Sequence, residues 1–289
     1  MKGADITAGD SAGRGIGRHT SWVWARVPSW ARVHAHGTAT RARVVQTASL
    51  LAGALLWEVC GRVWGSSFTL PPLSDVLAAA PGILSSSEFW SALGTTSVAL
   101  ALGLAIVLPS GYLLGVLSGL TRFWGRFIQP YMTVGLATPM IAVIPVIVLL
   151  FGLGLGARLA VVVIFALPYL TVNVAAGYRY APADLIDMAT SFGVSRSGVF
   201  LKIRTMSALP AIFAGLRLAV SRGLVGVIIA ELLVLATGLG RLLERESANF
   251  RTANMFVIII VIVGGAAVLL RVLGEVERRV LEQKGIVRQ

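Results

Sequence analysis

Long stretches without a formal charge dominate the pattern of polar and apolar positions along this chain. None occurs between Glu88 and Arg122, Arg126 and Arg158, Arg158 and Arg179, or Arg251 and Arg271. A helix of about 20 apolar residues crosses a hydrocarbon layer about 30 Å thick. The pattern therefore predicts membrane-spanning helices at about 91–118, 130–151, 159–178 and 253–271. Two further apolar stretches contain charge. The first, about 44–64, holds Glu58 and Arg62, an i,i+4 pair with the acid first, between Trp57 and Trp64; that order suits a helical ion pair and the tryptophans suit a membrane interface. The second, about 211–237, holds Arg217, Arg222 and Glu231. The expectation is an all-α polytopic membrane protein with six transmembrane helices.

Composition agrees: 56% of residues are apolar and 13% charged, against about 45–50% and 25% in ordinary soluble domains. A water-soluble enzyme is thereby disfavoured. The excess of 25 Lys+Arg over 13 Asp+Glu raises the question of nucleic acid, which the placement of the charges answers. With the amino terminus inside, eighteen Lys and Arg fall in cytoplasmic segments and four, Arg158, Arg241, Arg245 and Arg251, outside. That asymmetry is the positive-inside signal. It places both termini in the cytoplasm and removes the main support for nucleic-acid binding. The only cysteine, Cys60, excludes a disulfide within the chain.

Residues 1–43 read as a basic cytoplasmic tail, largely disordered, with Trp22, Trp24 and Trp30 among its arginines. Residues 44–289 form the membrane domain. Gly13, Gly15 and Gly17 miss the dinucleotide-binding spacing, and His19, His34 and His36 have no acidic or Cys neighbours to complete a metal site.

The long inside connection, about 179–210, carries the clearest design. Pro182 suits a helix start, Asp184 complements the dipole there, and Gly193 suits a left-handed stop. Between them Leu185, Met188, Ala189 and Phe192 fall at i, i+3, i+4 and i+7, one apolar stripe. Ser195 can cap a second helix bearing Val199, Phe200 and Ile203 toward Pro210. The stripe has two readings: packing under the protein's own helices, or insertion into a groove of a partner.

The segment Asp187-Met188-Ala189, three residues, Gly193, nine residues, Ile203 resembles the signature loop of bacterial binding-protein-dependent ABC importer permeases, Glu-Ala-Ala, three residues, Gly, nine residues, Ile, one residue, Leu-Pro. Leu70-Pro71-Pro72 with Ser74, Val76 and Leu77, Pro139, Pro145, Phe151-Gly152-Leu153-Gly154, Leu209 to Arg217, and Ala230-Glu231 with Gly238-Leu239-Gly240 resemble the nitrate/sulfonate/taurine branch in order and spacing, over about residues 68–280. Three positions depart: Asp187 replaces Glu, Met188 replaces Ala, and Thr205-Met206 stand in place of Leu-Pro. Loss of that Pro removes a helix-breaking constraint between the loop and the next span.

The resemblance implies a type I importer permease fold in the bacterial inner membrane and a non-catalytic subunit carrying a small polar or anionic solute. It also implies partners: two ATPase subunits holding ATP and Mg, a second permease copy or a sister chain, and an exterior solute-binding protein. No G-x-x-x-x-G-K-[ST] phosphate loop occurs in the sequence, so no cofactor is expected in this chain. By the same resemblance residues 182–193 are the coupling helix. Leu185, Met188, Ala189 and Phe192 are its contacts, Asp187 and Gly193 fix its shape, and Ile203 closes the motif.

Candidates for the translocation path are Thr138 beside Pro139, Asn173, Ser221, Arg222 and Glu231. Small polar groups in membranes also bond neighbouring helices. A charge at mid-membrane costs about 2.5–3.5 kcal/mol on insertion scales, so Arg222 and Glu231 should face protein or water. Arg222 either attracts an anionic solute or satisfies carbonyls near a helix end; for Glu231 a structural pairing is preferred. A secondary transporter or channel would share the composition, but proton or ion coupling usually needs acids or His in several spans, and here Glu58 and Glu231 are the candidates.

Overall fold

The computed structural model describes residues 38–63, 65 and 69–284. Residues 1–37 of the expected tail, with its tryptophans and histidines, and Trp64 lie outside them. The described chain is helical, with no strand among the described residues. It clusters into two units, Met1–Trp57 and Glu58–Gln289.

Helix α1 (Thr38–Val63) runs across that boundary and contains a 20-residue apolar span, Val44–Val63. Its apolar side chains, among them Val44, Leu50, Leu51 and Leu55, are exposed, as a lipid-facing helix requires. Within the second unit the expected Glu58–Arg62 pair is present at 2.5 Å. Glu58 also accepts from the backbone N–H and the hydroxyl of Ser74, both at 3.0 Å. The carboxylate thus satisfies an orphan amide in the first turn of α2 (Leu73–Leu84), a short apolar helix that the charge-free runs did not predict.

Three long helices form the core: α3 (Ser87–Leu120), α6 (Leu155–Arg179) and α9 (Thr205–Ala230). Helix α6 lies between the other two, and half of its apolar span is buried. Lipid offers no hydrophobic drive for helix association, so close contact must come from small residues. On α3, Gly103, Gly111, Gly115 and Gly119 supply it: a Cβ on any of them would come within 2.5–2.9 Å of Val162, Leu170, Val174 or the carbonyl of Ala175 on α6. On the far side Gly215 and Gly226 of α9 approach Asn173 and Phe165 just as closely. Val107, Leu170, Val174, Tyr178, Ala208 and Ala219 fill the seam.

The expected span at 130–151 is not one helix. It is broken into α4 (Arg122–Ala137) and α5 (Met140–Phe151), which meet at 111°. Pro139 has no N–H to continue the α4 ladder, and its ring disfavours the α conformation at Thr138, which is extended at ψ 131°. The Thr138 hydroxyl donates back to the Val134 carbonyl at 2.7 Å.

The second correction concerns the loop after α6. Its first half is the separate helix α7 (Ala183–Ser191), but its second half, α8 (Arg196–Val199), passes through a π-helical turn at Phe200–Arg204 directly into α9. Residues Arg196–Leu235 make one 40-residue helical run. With Thr205-Met206 where the signature has Leu-Pro, no breaker stops the helix, and Pro210 sits inside α9.

After a second π-turn, Glu231–Leu235, come α10 (Gly238–Ala248) and α11 (Thr252–Gln283). Helix α10 replaces an expected exterior loop. Among the described residues five helices are long and apolar enough to cross a membrane, and the bent α4–α5 pair makes a sixth if its two arms count as one span.

Candidate coupling loop and translocation path

The loop after α6 is rigid by construction. Helix α7 ends in a Schellman motif: Gly193, at φ +76°, donates to the Thr190 carbonyl, and Val194 donates to the Ala189 carbonyl, each at 3.0 Å. The Ser195 hydroxyl then accepts from the Gly198 amide at 3.2 Å and starts α8. The π-turn that follows is stitched by Thr205, whose hydroxyl donates to the Phe200 carbonyl at 2.9 Å.

Tyr178, fully buried at the end of α6, fastens this unit to the bundle. Its ring stacks on Phe200 with centroids 5.7 Å apart and planes 18° apart. Its hydroxyl lies 3.0 Å from that of Thr205 and 2.7 Å from that of Tyr112 on α3. All three core helices therefore meet the root of the loop through one side chain. The sequence placed Phe200 on the second helix of the loop, but nothing in its spacing singled out Tyr112 or Tyr178; the signal was weak, two tyrosines in apolar helices near a basic loop.

The apolar stripe faces away from that root. Leu185 is 45% exposed, Met188 53% and Phe192 82%, while Ala189 is 7% exposed and packs inward. Of the two readings of the stripe, packing under the protein's own helices holds for Ala189 alone. Asp187 is exposed, and its carbonyl accepts from the Ser191 hydroxyl at 2.9 Å; Ile203 is half-buried within the π-turn.

Three of the path candidates lie on α6 and α9. The Arg222 guanidinium lies over the Tyr169 ring at 5.0 Å, an arrangement in which the ring's quadrupole attracts the cation. Asn173 donates to the Tyr169 carbonyl at 2.8 Å. Ser221, next to Arg222, is half-buried. Thr138 and Pro139 stand apart, at the α4–α5 bend.

Glu231 belongs to a different arrangement. It is fully buried. Its Oε2 accepts from the Thr96 hydroxyl of α3 at 2.7 Å and from the Gly240 amide at 3.3 Å, while the Leu239 amide donates to the Thr96 oxygen at 3.0 Å. The amino terminus of α10 thus wraps a carboxylate, where the helix dipole favours negative charge. This explains Gly238-Leu239-Gly240: Gly238 has φ +66°, and a Cβ on it would lie 2.3 Å from the Glu231 carboxylate.

Helix α10 is held at its other end by ions. Arg245 pairs with Glu88 of α3 and, at 2.9 Å, with buried Glu246, which also accepts from Asn254 of α11 at 2.8 Å. Glu88 first and Glu246 second hold the Arg245 guanidinium above its ordinary pKa. At the opposite end of the bundle Arg217 of α9 pairs with Glu277 of α11.

Comparison with known proteins agrees with this architecture. Residues 111–283 match the family model described as the binding-protein-dependent transport system inner membrane component. The formylaminopyrimidine transport permease protein of Halalkalibacterium halodurans is 28% identical over 207 residues, 70% of this chain and 80% of that protein. A protein of Escherichia coli named for aliphatic sulfonates transport is 28% identical over 229 residues, 79% of this chain and 85% of its own. The nitrate import permease protein of Synechococcus elongatus is 29% identical over 140 residues, 48% of this chain and 50% of its own. The match runs from the glycine seam of α3 through the loop, the π-turn and the wrapped glutamate to the end of α11, and the chain belongs to the family of binding-protein-dependent, ABC-type inner-membrane transport permeases.

Proposed function

We propose that this permease subunit imports a small polar or anionic solute, of the nitrate, sulfonate or taurine kind, handed over by an exterior solute-binding protein. Two separate ATPase subunits hold ATP and Mg, and a second permease, a copy of this chain or a sister, completes the path. Both termini lie in the cytoplasm, as the distribution of Lys and Arg favours.

The observation that carries this reading is the ridge of Leu185, Met188 and Phe192, exposed on a helix whose carboxyl end and root are fixed. A solvated helix gains nothing from three apolar side chains in a row; a groove on a partner does. Because α8, the π-turn and α9 are one helical run, a push on α7 is passed through the Tyr178 junction to the core. That is a lever on a bistable bundle. Arg222 on Tyr169, with Ser221 next to it in sequence and Asn173 one turn along α6 from Tyr169, supplies the cationic and hydrogen-bonding groups for an anionic solute in the path. The relatives named for sulfonates and nitrate favour the same cargo class.

The test is Phe192→Asp in the reconstituted complex. A carboxylate buried in an apolar groove without a partner costs several kcal/mol, so ATPase subunits should no longer co-purify with the permease, or should hydrolyse ATP without transport, while membrane insertion is unchanged. Full assembly with full transport would overturn the assignment. For the cargo, Arg222→Gln should weaken uptake of an anion about tenfold or more and spare a solute without an anionic group.

A further inference from the structure

Four arginines converge on one chamber at the loop end of the bundle. Arg122 and Arg126 of α4, Arg179 at the end of α6 and Arg204 in the π-turn line a cavity of about 560 Å³ together with Ser118 and Gln129. No carboxylate lines it, and among the described residues none pairs with any of the four. Among the described residues the one hydrogen bond from these four side chains is from Arg179 to the Ser118 carbonyl at 3.3 Å. Four guanidinium groups facing one space repel each other unless an anion joins them.

The surroundings identify the anion. Ser118, Gln129 and Arg179 are shared with a second cavity of about 230 Å³ that continues between α4 and α6, walled mainly by Met132, Leu136, Val172, Ala175 and Ala176, with Thr133, Thr171 and Tyr180 also on its lining. A charged chamber opening into a mainly apolar slot has the polarity of a phospholipid. On α4, Arg122, Arg126 and Gln129 at i, i+4 and i+7 face the chamber. Phe123, Trp124, Phe127 and Tyr131 on the same helix are exposed, their rings touching in series with centroids 5.5, 6.1 and 5.6 Å apart. Exposed Trp and Tyr rings mark headgroup depth, so the chamber lies where lipid phosphates lie. A free phosphate or the imported solute has no use for the slot.

We propose that this chamber is a binding site for an anionic phospholipid, its phosphate on Arg122, Arg126, Arg179 and Arg204 and an acyl chain in the slot between α4 and α6. Bound there, the lipid joins α4 and α6 to the stem of the loop through Arg204. The proposed orientation decides only which leaflet supplies the lipid.

Native mass spectrometry of the purified full-length permease in detergent tests this independently of orientation, since a micelle has no sides. Phosphatidylglycerol should be retained at least about tenfold more tightly than phosphatidylcholine, and inorganic phosphate at millimolar concentration should not displace it. Each arginine changed to Gln should weaken retention about fivefold, and R122Q/R126Q/R204Q together about a hundredfold. Leu136→Trp, which fills the slot and keeps every charge, should weaken it as well. Equal retention of the two lipids by the unchanged protein would overturn the proposal without recourse to any variant. Displacement by phosphate, or indifference to Leu136→Trp, would make the site one for a free anion and not a lipid.

Discussion

Gly193 and Gly238 do different work with the same left-handed backbone. At Gly193, φ +76° turns the chain out of α7, and nothing lies within 4 Å of where a Cβ would be. The cost of a side chain there is conformational only, about 1–2 kcal/mol and more for a β-branched residue. Gly193→Val should therefore reorient α7 and lower transport several-fold in an uptake assay while the protein remains in the membrane; unchanged uptake would mean that the turn is not needed. At Gly238, φ +66° is combined with a carboxylate 2.3 Å from the Cβ position. Gly238→Ala should push α10 off Glu231, leave buried amides unpaired at about 1–3 kcal/mol and lower the melting temperature of the purified protein. An unaltered melting curve would contradict the wrapped-carboxylate geometry. Both glycines stood in the sequence within motifs, but only the Gly193 turn could be read there, from the helix signals on either side. That Gly238 serves Glu231 depends on Thr96 arriving from α3, 135 residues from Glu231, which no local pattern encodes.

At the scale of elements, charge-free runs located α3, α6 and α11 because inserting a charge is costly enough to leave a gap in the sequence. The same rule overlooked α2 and α10, which are too short to cross a membrane and are shaped by contacts instead. Helix α10 does carry Leu239, Leu242 and Glu246 on its buried face, but a stripe ending in a glutamate reads as polar until Arg245 and Asn254 are found beside it. The break at Thr138–Pro139 was visible as a proline and its 111° bend was not, since the direction of the outgoing arm is set by packing. Ile144 and Ile147 of α5 are buried with Ala157, Val161 and Phe165 of α6. The four-residue spacing of Gly111, Gly115 and Gly119 lies in the sequence, but only the structure makes it a seam, by bringing α6 against it. Gly115→Leu would put a Cβ 2.5 Å from Val174, whereas Gly94 on the same helix has open space around it. Gly115→Leu should cut the yield of folded protein severely, and Gly94→Leu should leave it near that of the unchanged chain; similar yields for both would deny the α3–α6 contact.

For the molecule as a whole, family membership and the long helical stem are the basis of the proposed transmission between two faces of a membrane. The bundle is closed at one end by the Glu231 and Arg245 contacts and carries at the other the loop, the Tyr178 junction and the arginine chamber. By the positive-inside reading of the Lys and Arg distribution, the loop end is expected inside. Reporter fusions after residue 192 and within α10 should therefore give opposite signals, cytoplasmic for the first and exterior for the second; the reverse pattern would invert every functional assignment made for the two ends. The central claim is that the ridge on α7 is received by a separate ATPase subunit. Cys60 is the sole native cysteine, so Cys60→Ser with Met188→Cys and a thiol-specific photo-crosslinker places one probe on the ridge of the assembled complex in native membranes. The expected product is a permease–ATPase adduct whose yield changes when nucleotide is added. Adducts confined to the permease itself, with and without nucleotide, would contradict it.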